Sequence, residues 1–162
     1  HESPRRGETF VTKKIVNGLC LIKMGKKKNL TVGNLYAKRD WGHASDYVNA
    51  MWLMMQQKKA EDFVISTGQQ YSVKDFINMT SKELGFKVKW KGKGINEKGY
   101  NSDGKLIIQC SKKYLRPSEV ANLLGDSRRA RKKLKWYPKI GIKKLIKEMV
   151  KEEFKTLNSE KS

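Results

Sequence analysis

Three separated segments of the sequence each place arginine close to a carboxylate. They are Glu2 with Arg5 and Arg6, Arg39 with Asp40, and Arg116 with Glu119. A guanidinium group is a planar donor that binds phosphate oxygens in pairs, and carboxylates accept hydrogen bonds from sugar hydroxyls. The combination suits a nucleotide diphosphate that carries a sugar, if the fold brings the three segments together.

The turn that contains Arg39 leads into a predicted helix, with Ser45 or Asp46 as its N-cap. The N-terminus of a helix gathers unpaired backbone N–H groups and the positive end of the helix dipole, and both favour an anion. Arg39 would add a bidentate phosphate donor there. The alternative is that Arg39 pairs with Asp40 and that Trp41 belongs to the core, and the spacing does not separate the two interpretations.

Other kinds of site lack their signatures in the sequence. The residues His1, His43, Cys20 and Cys110 show no metal-ligand spacing, and no Ser/His/Asp arrangement indicates a nucleophile. One disulfide is possible, but two distant cysteines are more typical of a reduced, cytoplasmic chain, which we expect here. No Gly-x-Gly-x-x-Gly follows a strand, and no Tyr has a Lys four residues later. Hydride transfer therefore cannot be assembled from this chain alone.

The composition adds a second candidate function. The 162 residues carry 36 Lys and Arg against 16 Asp and Glu, a formal net charge of +20 that attracts anions, while 38% hydrophobic residues suffice for a core. A basic nucleic-acid-binding module is therefore the alternative. Against it, the lysines are scattered, no nucleic-acid motif occurs, and Trp52, Phe63, Phe76 and Trp136 stand at positions typical of a core.

No run approaches the roughly 18 apolar residues of a membrane span. The chain begins with His1 and its first methionine is Met24, so we expect the beginning of the protein to be missing.

Apolar residues at helical spacing predict four helices with a buried face. They run from Val11 to Ile22 with Thr9 as cap and Gly25 as stop, over 44–57, from a Ser72–Asp75 capping box to Leu84, and from Ile142 to Phe154. The face of the second is Tyr47, Val48, Met51, Trp52 and Met55. A fifth, basic helix begins at Asp126. Lys13 and Lys14 oppose the dipole of the first helix, so either an anion lies nearby or both side chains face water.

Short apolar or alternating runs predict strands between these helices. They cover 29–34, 62–68, 87–90 and 105–110, and the pattern over 62–68 is typical of a buried strand. Four glycines predict a loop or an insertion over 92–104, and Pro117 holds Arg116 in a constrained turn. Strands that alternate with helices predict an α/β fold.

The ordered motifs resemble one family over nearly the whole chain. They are HESPRRGETFVT at 1–12, GNL at 33–35, RDWGHA at 39–44, DFVISTG at 62–68, YLRPSEV at 114–120 and LGD at 124–126. Together they resemble the GDP-mannose 4,6-dehydratases, which are extended short-chain dehydrogenase/reductases with an N-terminal Rossmann domain. The resemblance implies that residues 1–162 are the C-terminal, nucleotide-sugar-binding portion of such an α/β enzyme, without its N-terminal dinucleotide-binding motif. Residues 1–8 would form a cofactor and substrate loop, and 38–68 would pack onto the missing Rossmann domain.

The resemblance also implies roles for individual residues. His1 and Arg6 would contact NADP, and Glu2 would face the substrate. Val11 and Lys14 would lie against guanine, Arg39 and Arg116 would hold the diphosphate, and Glu119 would bind a sugar or ribose hydroxyl. The family oxidises GDP-mannose at C4, eliminates water across C5 and C6, and returns the hydride to C6. The implied catalytic Thr, Glu, Tyr and Lys would precede residue 1, and the full-length protein would be a homo-oligomer, expected as a tetramer.

Overall fold

Three helices and one side of a sheet surround the main core. The computed structural model describes residues 1–115, 118 and 120–159. Helices α1 (Val11–Lys23), α3 (Val73–Glu83) and α5 (Ile142–Ser159) pack against one another. Their apolar residues recur every three or four positions, so each helix buries one face, as the sequence predicts. The largest fully buried side chains of these helices are Ile15, Leu19, Phe76, Ile77, Leu145, Ile146 and Met149.

A mixed four-stranded sheet covers this core. Its strands are β1 (Leu30–Val32), β4 (Lys89–Lys91), β5 (Lys98–Tyr100) and β6 (Leu106–Cys110), in the spatial order β1-β6-β5-β4. The pair β1–β6 is parallel, with Leu30 opposite Ile108, and the other two pairs are antiparallel. The predicted strands 29–34, 87–90 and 105–110 are confirmed at these places, although their bounds differ.

The loop predicted over 92–104 is wrong for residues 98–100, because they form strand β5 (Lys98–Tyr100). A 3₁₀ turn (Gly94–Asn96) leads into β5, in which Gly99 is buried. A Cβ atom at Gly99 would lie 2.6 Å from Val88 Cγ1 and 3.0 Å from Ile108 Cβ. This glycine therefore allows close packing in a strand, whereas the sequence pattern treats it as a loop signal.

A smaller second region contains helix α2 (Ala44–Met55) and helix α4 (Arg128–Leu134). Its buried cluster consists of Ala50, Ala130, Leu134 and Trp136. The remaining strands β2 (Lys38–Arg39) and β3 (Tyr71–Ser72) form an antiparallel pair. Within the described ranges, no helix is long and apolar enough to cross a membrane.

The buried strand predicted over 62–68 is wrong. The segment is irregular, Val64 is 55% exposed, and none of the described strands pairs with it. Its end is held by a side chain instead, because the Asp40 carboxylate accepts from the Thr67 N–H at 3.0 Å and the Gly68 N–H at 2.8 Å. An apolar run forms a strand only where another strand can pair with it.

The predicted apolar face of α2 is largely exposed. Tyr47 is buried, but the other four residues of that face are half or more exposed: Val48 at 62%, Met51 at 51%, Trp52 at 59% and Met55 at 81%. The core position expected for Trp52 is therefore wrong in this chain. The sequence pattern identified the face, but within the described residues most of its surface stays uncovered.

Of the four predicted N-caps, the one of α3 is confirmed and the other three differ from the prediction. The Ser72–Asp75 capping box is present at the N-terminus of α3, with both of its reciprocal hydrogen bonds. The N-cap of α2 is His43, whose Nδ1 accepts from the Ser45 N–H at 3.1 Å, and neither Ser45 nor Asp46. Phe10, not Thr9, is the N-cap of α1, and no side chain caps it. The N-cap of α4 is Ser127, although the Asp126 carboxylate accepts from the Arg128 N–H at 3.0 Å.

Candidate functional site

A cleft of about 460 Å³ opens at the N-terminus of α1. It is lined by the loop before α1, the first turns of α1, the segment after β1, strand β2 and the turn at Lys112–Tyr114. Five of the eight predicted site residues line it, namely Glu2, Arg6, Val11, Lys14 and Arg39. Arg116 and Glu119 lie outside the described residues. The structure thus brings two of the three arginine segments together in one cleft.

Glu2 is fixed in the cleft by both its backbone and its side chain. Its N–H donates to the Gly42 carbonyl at 2.9 Å, and its carbonyl accepts from the Ala44 N–H at 2.8 Å. Its carboxylate is buried, accepts from the Thr12 hydroxyl and lies 3.6 Å from Arg6 Nε. Burial raises the pKa of Glu2, and this outweighs the opposing effects of Thr12 and Arg6. A carboxyl group that holds its proton more readily than usual therefore faces the cleft.

Arg6 lies over the ring of Phe10, with its Cζ 3.4 Å from the ring centroid. Its Nε is buried and donates no hydrogen bond to any described residue. The Glu2 carboxylate, 3.6 Å away, is its ion-pair partner, but a hydrogen-bond acceptor is lacking among the described residues. A buried donor without such an acceptor is costly, so this position favours a polar ligand that accepts a hydrogen bond.

Lys14 and Lys13 point in different directions. Lys14 Nζ lies 3.4 Å from the centroid of the Tyr114 ring, at the cleft. Lys13 Nζ instead donates to the Pro4 carbonyl at 3.1 Å and to the buried carboxylate of Glu153 on α5. The anion expected near Lys13 is therefore part of the protein, and Lys13 does not simply face water.

Arg39 reaches the cleft from β2. Its Nη1 donates to the carbonyls of Lys38 and Val120, each at 2.8 Å, which orients the guanidinium group. Trp41 is buried, as the alternative interpretation expected. Asp40 does not line the cleft, and its carboxylate accepts from Thr67 and Gly68, so it is not placed to bind a sugar hydroxyl in this cleft.

His1 lies beside the cleft and does not line it. Its ring lies on Tyr47, with centroids 3.9 Å apart and an interplanar angle of 33°. Burial, with the nearby carboxylates of Asp40, Asp46 and Glu2, raises the pKa of Tyr47 to about 12. Tyr47 is therefore a neutral platform for His1 at physiological pH.

The electrostatics of the cleft suit a phosphorylated ligand. Four cationic residues line the cleft, namely Arg6, Lys14, Arg39 and Lys113, together with the N-terminus of α1, which no side chain caps. In the described part of the chain, the cleft included, no group of three or more His, Cys, Asp or Glu side chains is placed to hold a metal ion. The arrangement therefore favours binding an anion through guanidinium, ammonium and backbone N–H donors.

Comparison with known proteins places the chain in a family. The family model for GDP-mannose 4,6 dehydratase matches residues 1–149. The chain is 51% identical over 150 residues to a GDP-mannose 4,6 dehydratase 2 of Caenorhabditis elegans, covering 93% of this chain and 39% of that protein. It is 48% identical over 166 residues to a GDP-mannose 4,6-dehydratase of Vibrio cholerae, covering 96% and 45%.

The chain belongs to the GDP-mannose 4,6-dehydratase family. It spans less than half of the length of these two relatives. Its fold is similar to that of RMD from Pseudomonas aeruginosa complexed with NADPH, with a TM-score of 0.77, 18% identity, and coverage of 96% of this chain and 46% of that one. The predicted α/β fold of an extended short-chain dehydrogenase/reductase portion is confirmed.

The sequence interpretation gave no role to several residues that this member of the dehydratase family places at the cleft. Phe10 and Tyr114 carry the cations Arg6 and Lys14 on their rings. Gly33 lets the two walls meet, since a Cβ atom there would lie 2.3 Å from the Tyr114 carbonyl oxygen. Gly33 belongs to the GNL motif at 33–35, so the sequence does contain a signal for it. Lys14 and Tyr114 are distant in sequence, so no local pattern predicts that their side chains meet.

Proposed function

We propose that this chain is the nucleotide-sugar-binding part of an NADP-dependent GDP-mannose 4,6-dehydratase, which converts GDP-mannose to GDP-4-dehydro-6-deoxy-mannose. The observation that carries the proposal is the cleft, where Arg6, Lys14 and Arg39 meet the uncapped N-terminus of α1. Membership of the family supports the substrate, because the relatives bear the name of this reaction.

The predicted site residues that line the cleft have separate roles in this proposal. Arg39 and the N-terminal N–H groups of α1 bind the diphosphate, and Val11 and Lys14 lie against the guanine. Glu2 faces the hexose, where its carboxyl group can accept a hydrogen bond from a sugar hydroxyl. Arg116 as a second diphosphate donor and Glu119 as a hydroxyl acceptor remain predictions.

The cofactor side of the proposal rests on His1 and Arg6. The buried Nε of Arg6 without an acceptor fits a phosphate or another polar group of a dinucleotide. The ring of His1, held on Tyr47 and itself exposed, offers a second contact. When bound, NADP supplies the acceptor for the hydride, and the structural neighbour in complex with NADPH supports this choice. The implied catalytic Thr, Glu, Tyr and Lys belong to the Rossmann half.

The Rossmann half would dock on the second region, within residues 38–68. The exposed face of α2 and the irregular apolar segment 62–68 offer the surface that such a domain would bury.

The full-length enzyme is, in this proposal, a cytoplasmic homo-oligomer, and we expect a tetramer. Light scattering of the full-length protein tests this, and a monomer would contradict it.

The alternative, a nucleic-acid-binding module, has less support from the basic helix α4. Its Arg128 pairs with Asp126 at 2.6 Å, and its Lys133 pairs with Glu61 at 2.5 Å. Arg129 pairs with the same Glu61. These pairs neutralise part of the charge that would have to contact phosphates.

Calorimetric titration of the chain with GDP-mannose, GDP and a short DNA duplex, at low and moderate salt, tests the proposal. We expect millimolar or tighter binding of both GDP ligands and DNA binding that disappears as salt rises. DNA binding that resists salt, without a response to GDP, would overturn the proposal. If nothing binds, the same titration is made with the chain joined to its Rossmann half.

A further inference from the structure

Glu97 is a buried carboxylate outside the cleft that the proposed function does not use. It lies between the 3₁₀ turn Gly94–Asn96 and strand β5, and it is only 3% exposed. Its two oxygens have different partners. One accepts from Lys74 Nζ at 2.5 Å, and the other accepts from the Tyr36 hydroxyl.

These two partners belong to two neighbouring parts of the cleft. Tyr36 lies in residues 33–37, here called the wall segment, of which Gly33, Asn34 and Ala37 line the cleft. Lys74 lies in the first turn of α3, directly after Val73, which also lines the cleft. One carboxylate therefore joins both parts from behind.

The wall segment is also joined to α3 through the backbone. The Lys74 N–H donates to the Leu35 carbonyl at 2.9 Å, and the Val73 N–H donates to the Ala37 carbonyl at 3.1 Å. Leu35 and Ala37 are buried, so the core holds these two residues. Between them, Tyr36 is half exposed, and Glu97 fixes its hydroxyl.

Tyr36 in turn fixes a residue that lines the cleft. Its N–H donates to Asn34 Oδ1 at 2.9 Å, which orients the Asn34 side chain. The connection therefore runs from Glu97 to Tyr36 and from Tyr36 to Asn34 through hydrogen bonds.

The charged form of Glu97 suits this role. Burial raises its pKa, but the hydrogen bonds from Lys74 and Tyr36 outweigh burial, and the pKa of Glu97 falls below its usual value. An ionised acceptor makes stronger hydrogen bonds than a neutral one.

We propose that Glu97 is a positioning residue for the cleft, holding the wall segment against α3 in the arrangement that binds the nucleotide. This inference rests on the proposed function for the identity of the ligand. It also gives a role to the segment 92–104, which the sequence alone leaves unassigned.

The test uses the 162-residue chain and three variants. Glu97→Gln weakens both hydrogen bonds, and Tyr36→Phe removes one of them. Glu152→Gln is the matched control, because Glu152 pairs with Lys155 at 2.7 Å on the surface of α5. Calorimetry gives the Kd for GDP well below each melting temperature, and amide hydrogen exchange reports on the wall segment without a ligand.

We expect Glu97→Gln to raise the Kd for GDP about tenfold, as it would if the wall segment kept its binding arrangement about a tenth of the time. Tyr36→Phe should raise it less, and the double variant should not exceed Glu97→Gln, because both act through one connection. The amides of Tyr36, Val73 and Lys74 should exchange faster in Glu97→Gln, whereas that of Leu145 should not. Glu152→Gln should change neither quantity.

Two results would overturn the inference. The first is a lower melting temperature for Glu97→Gln with an unchanged Kd, which would show that Glu97 only stabilises the fold. The second is unchanged exchange at Tyr36, Val73 and Lys74. If the wild-type chain binds no GDP, the proposed function of this chain fails separately, and the exchange measurement still decides the role of Glu97.

Discussion

The region of α1, α3 and α5 differs from the region of α2 and α4 in how completely it buries its apolar residues. In the first, the helices bury one face each against the sheet, and Leu145 and Phe76 are fully inaccessible. In the second, the buried cluster has only four residues, while Met51 and Trp52 of α2 are more than half exposed. The comparison teaches that the first region supplies the fold and the cleft. The second leaves the apolar face of α2 largely exposed, where we propose that the Rossmann half docks.

The largest effect should come from the complete core. Leu145→Ala removes a fully buried side chain between α5 and its neighbours and should lower the free energy of unfolding by about 2–5 kcal/mol. Chemical denaturation of the chain measures this. A loss below 1 kcal/mol, on the scale of a surface substitution, would show that the helices are packed less tightly than described.

The next effect concerns the cleft of the same region. Arg39→Ala should weaken GDP-mannose binding by more than about 1.5 kcal/mol, the scale of a hydrogen bond to a charged group. Arg129→Ala, which removes an equal charge from α4 in the other region, should leave the affinity unchanged. Calorimetry of both variants makes the comparison, and equal losses would assign the effect to net charge instead of to the cleft.

Glu2 should give the cleft region a pH dependence of stability. Its pKa is raised in the folded chain above the usual 4.5, so the folded state binds more protons than the unfolded state just above that pH. Stability contributed by Glu2 is therefore lost as pH rises from 4.5 through the raised value. Glu2→Gln should reduce this loss in thermal melts made across that range.

Glu152→Gln is the control for that experiment. The pKa of Glu152 is lowered by its hydrogen bond to Lys155, so any contribution from Glu152 changes below pH 4.5. An identical pH profile for wild type and Glu2→Gln would contradict the described environment of Glu2.

The smallest effect should come from the exposed face of α2. Trp52→Ala should change the free energy of unfolding of this chain by no more than about 0.5 kcal/mol, because a side chain that is 59% exposed loses few contacts. The same substitution in the chain joined to its Rossmann half should cost clearly more. Equal costs in both proteins would show that the Rossmann half docks elsewhere.

Local features of the fold were predictable from the sequence, and features that depend on distant partners were not. The capping box of Ser72 and Asp75 involves residues three apart, so the pattern contains the whole interaction. Gly99 was misread because the side chains that require a glycine there, Val88 and Ile108, come from other segments. The prediction of a strand over 62–68 was wrong because a strand needs another strand to pair with, and none of the described strands pairs with this segment.

The site follows the same division. The place of Arg39 and Glu2 at the cleft was predictable from residue types and from the resemblance to the family. The rings beneath Arg6 and Lys14 were not, because Lys14 and Tyr114 meet only in the folded chain. The sequence likewise does not predict that Asp40 lies outside the cleft lining, since its partners Thr67 and Gly68 come from a distant segment.

The most direct test of the central claim is a crystal structure of the chain with GDP-mannose. We expect the diphosphate between Arg39 and the N-terminus of α1, with the guanine against Val11 and Lys14 and the hexose toward Glu2. Nucleotide bound elsewhere, for example along the lysines of α5, with the cleft unoccupied in the same crystals, would contradict the assignment of this cleft as the nucleotide-sugar site.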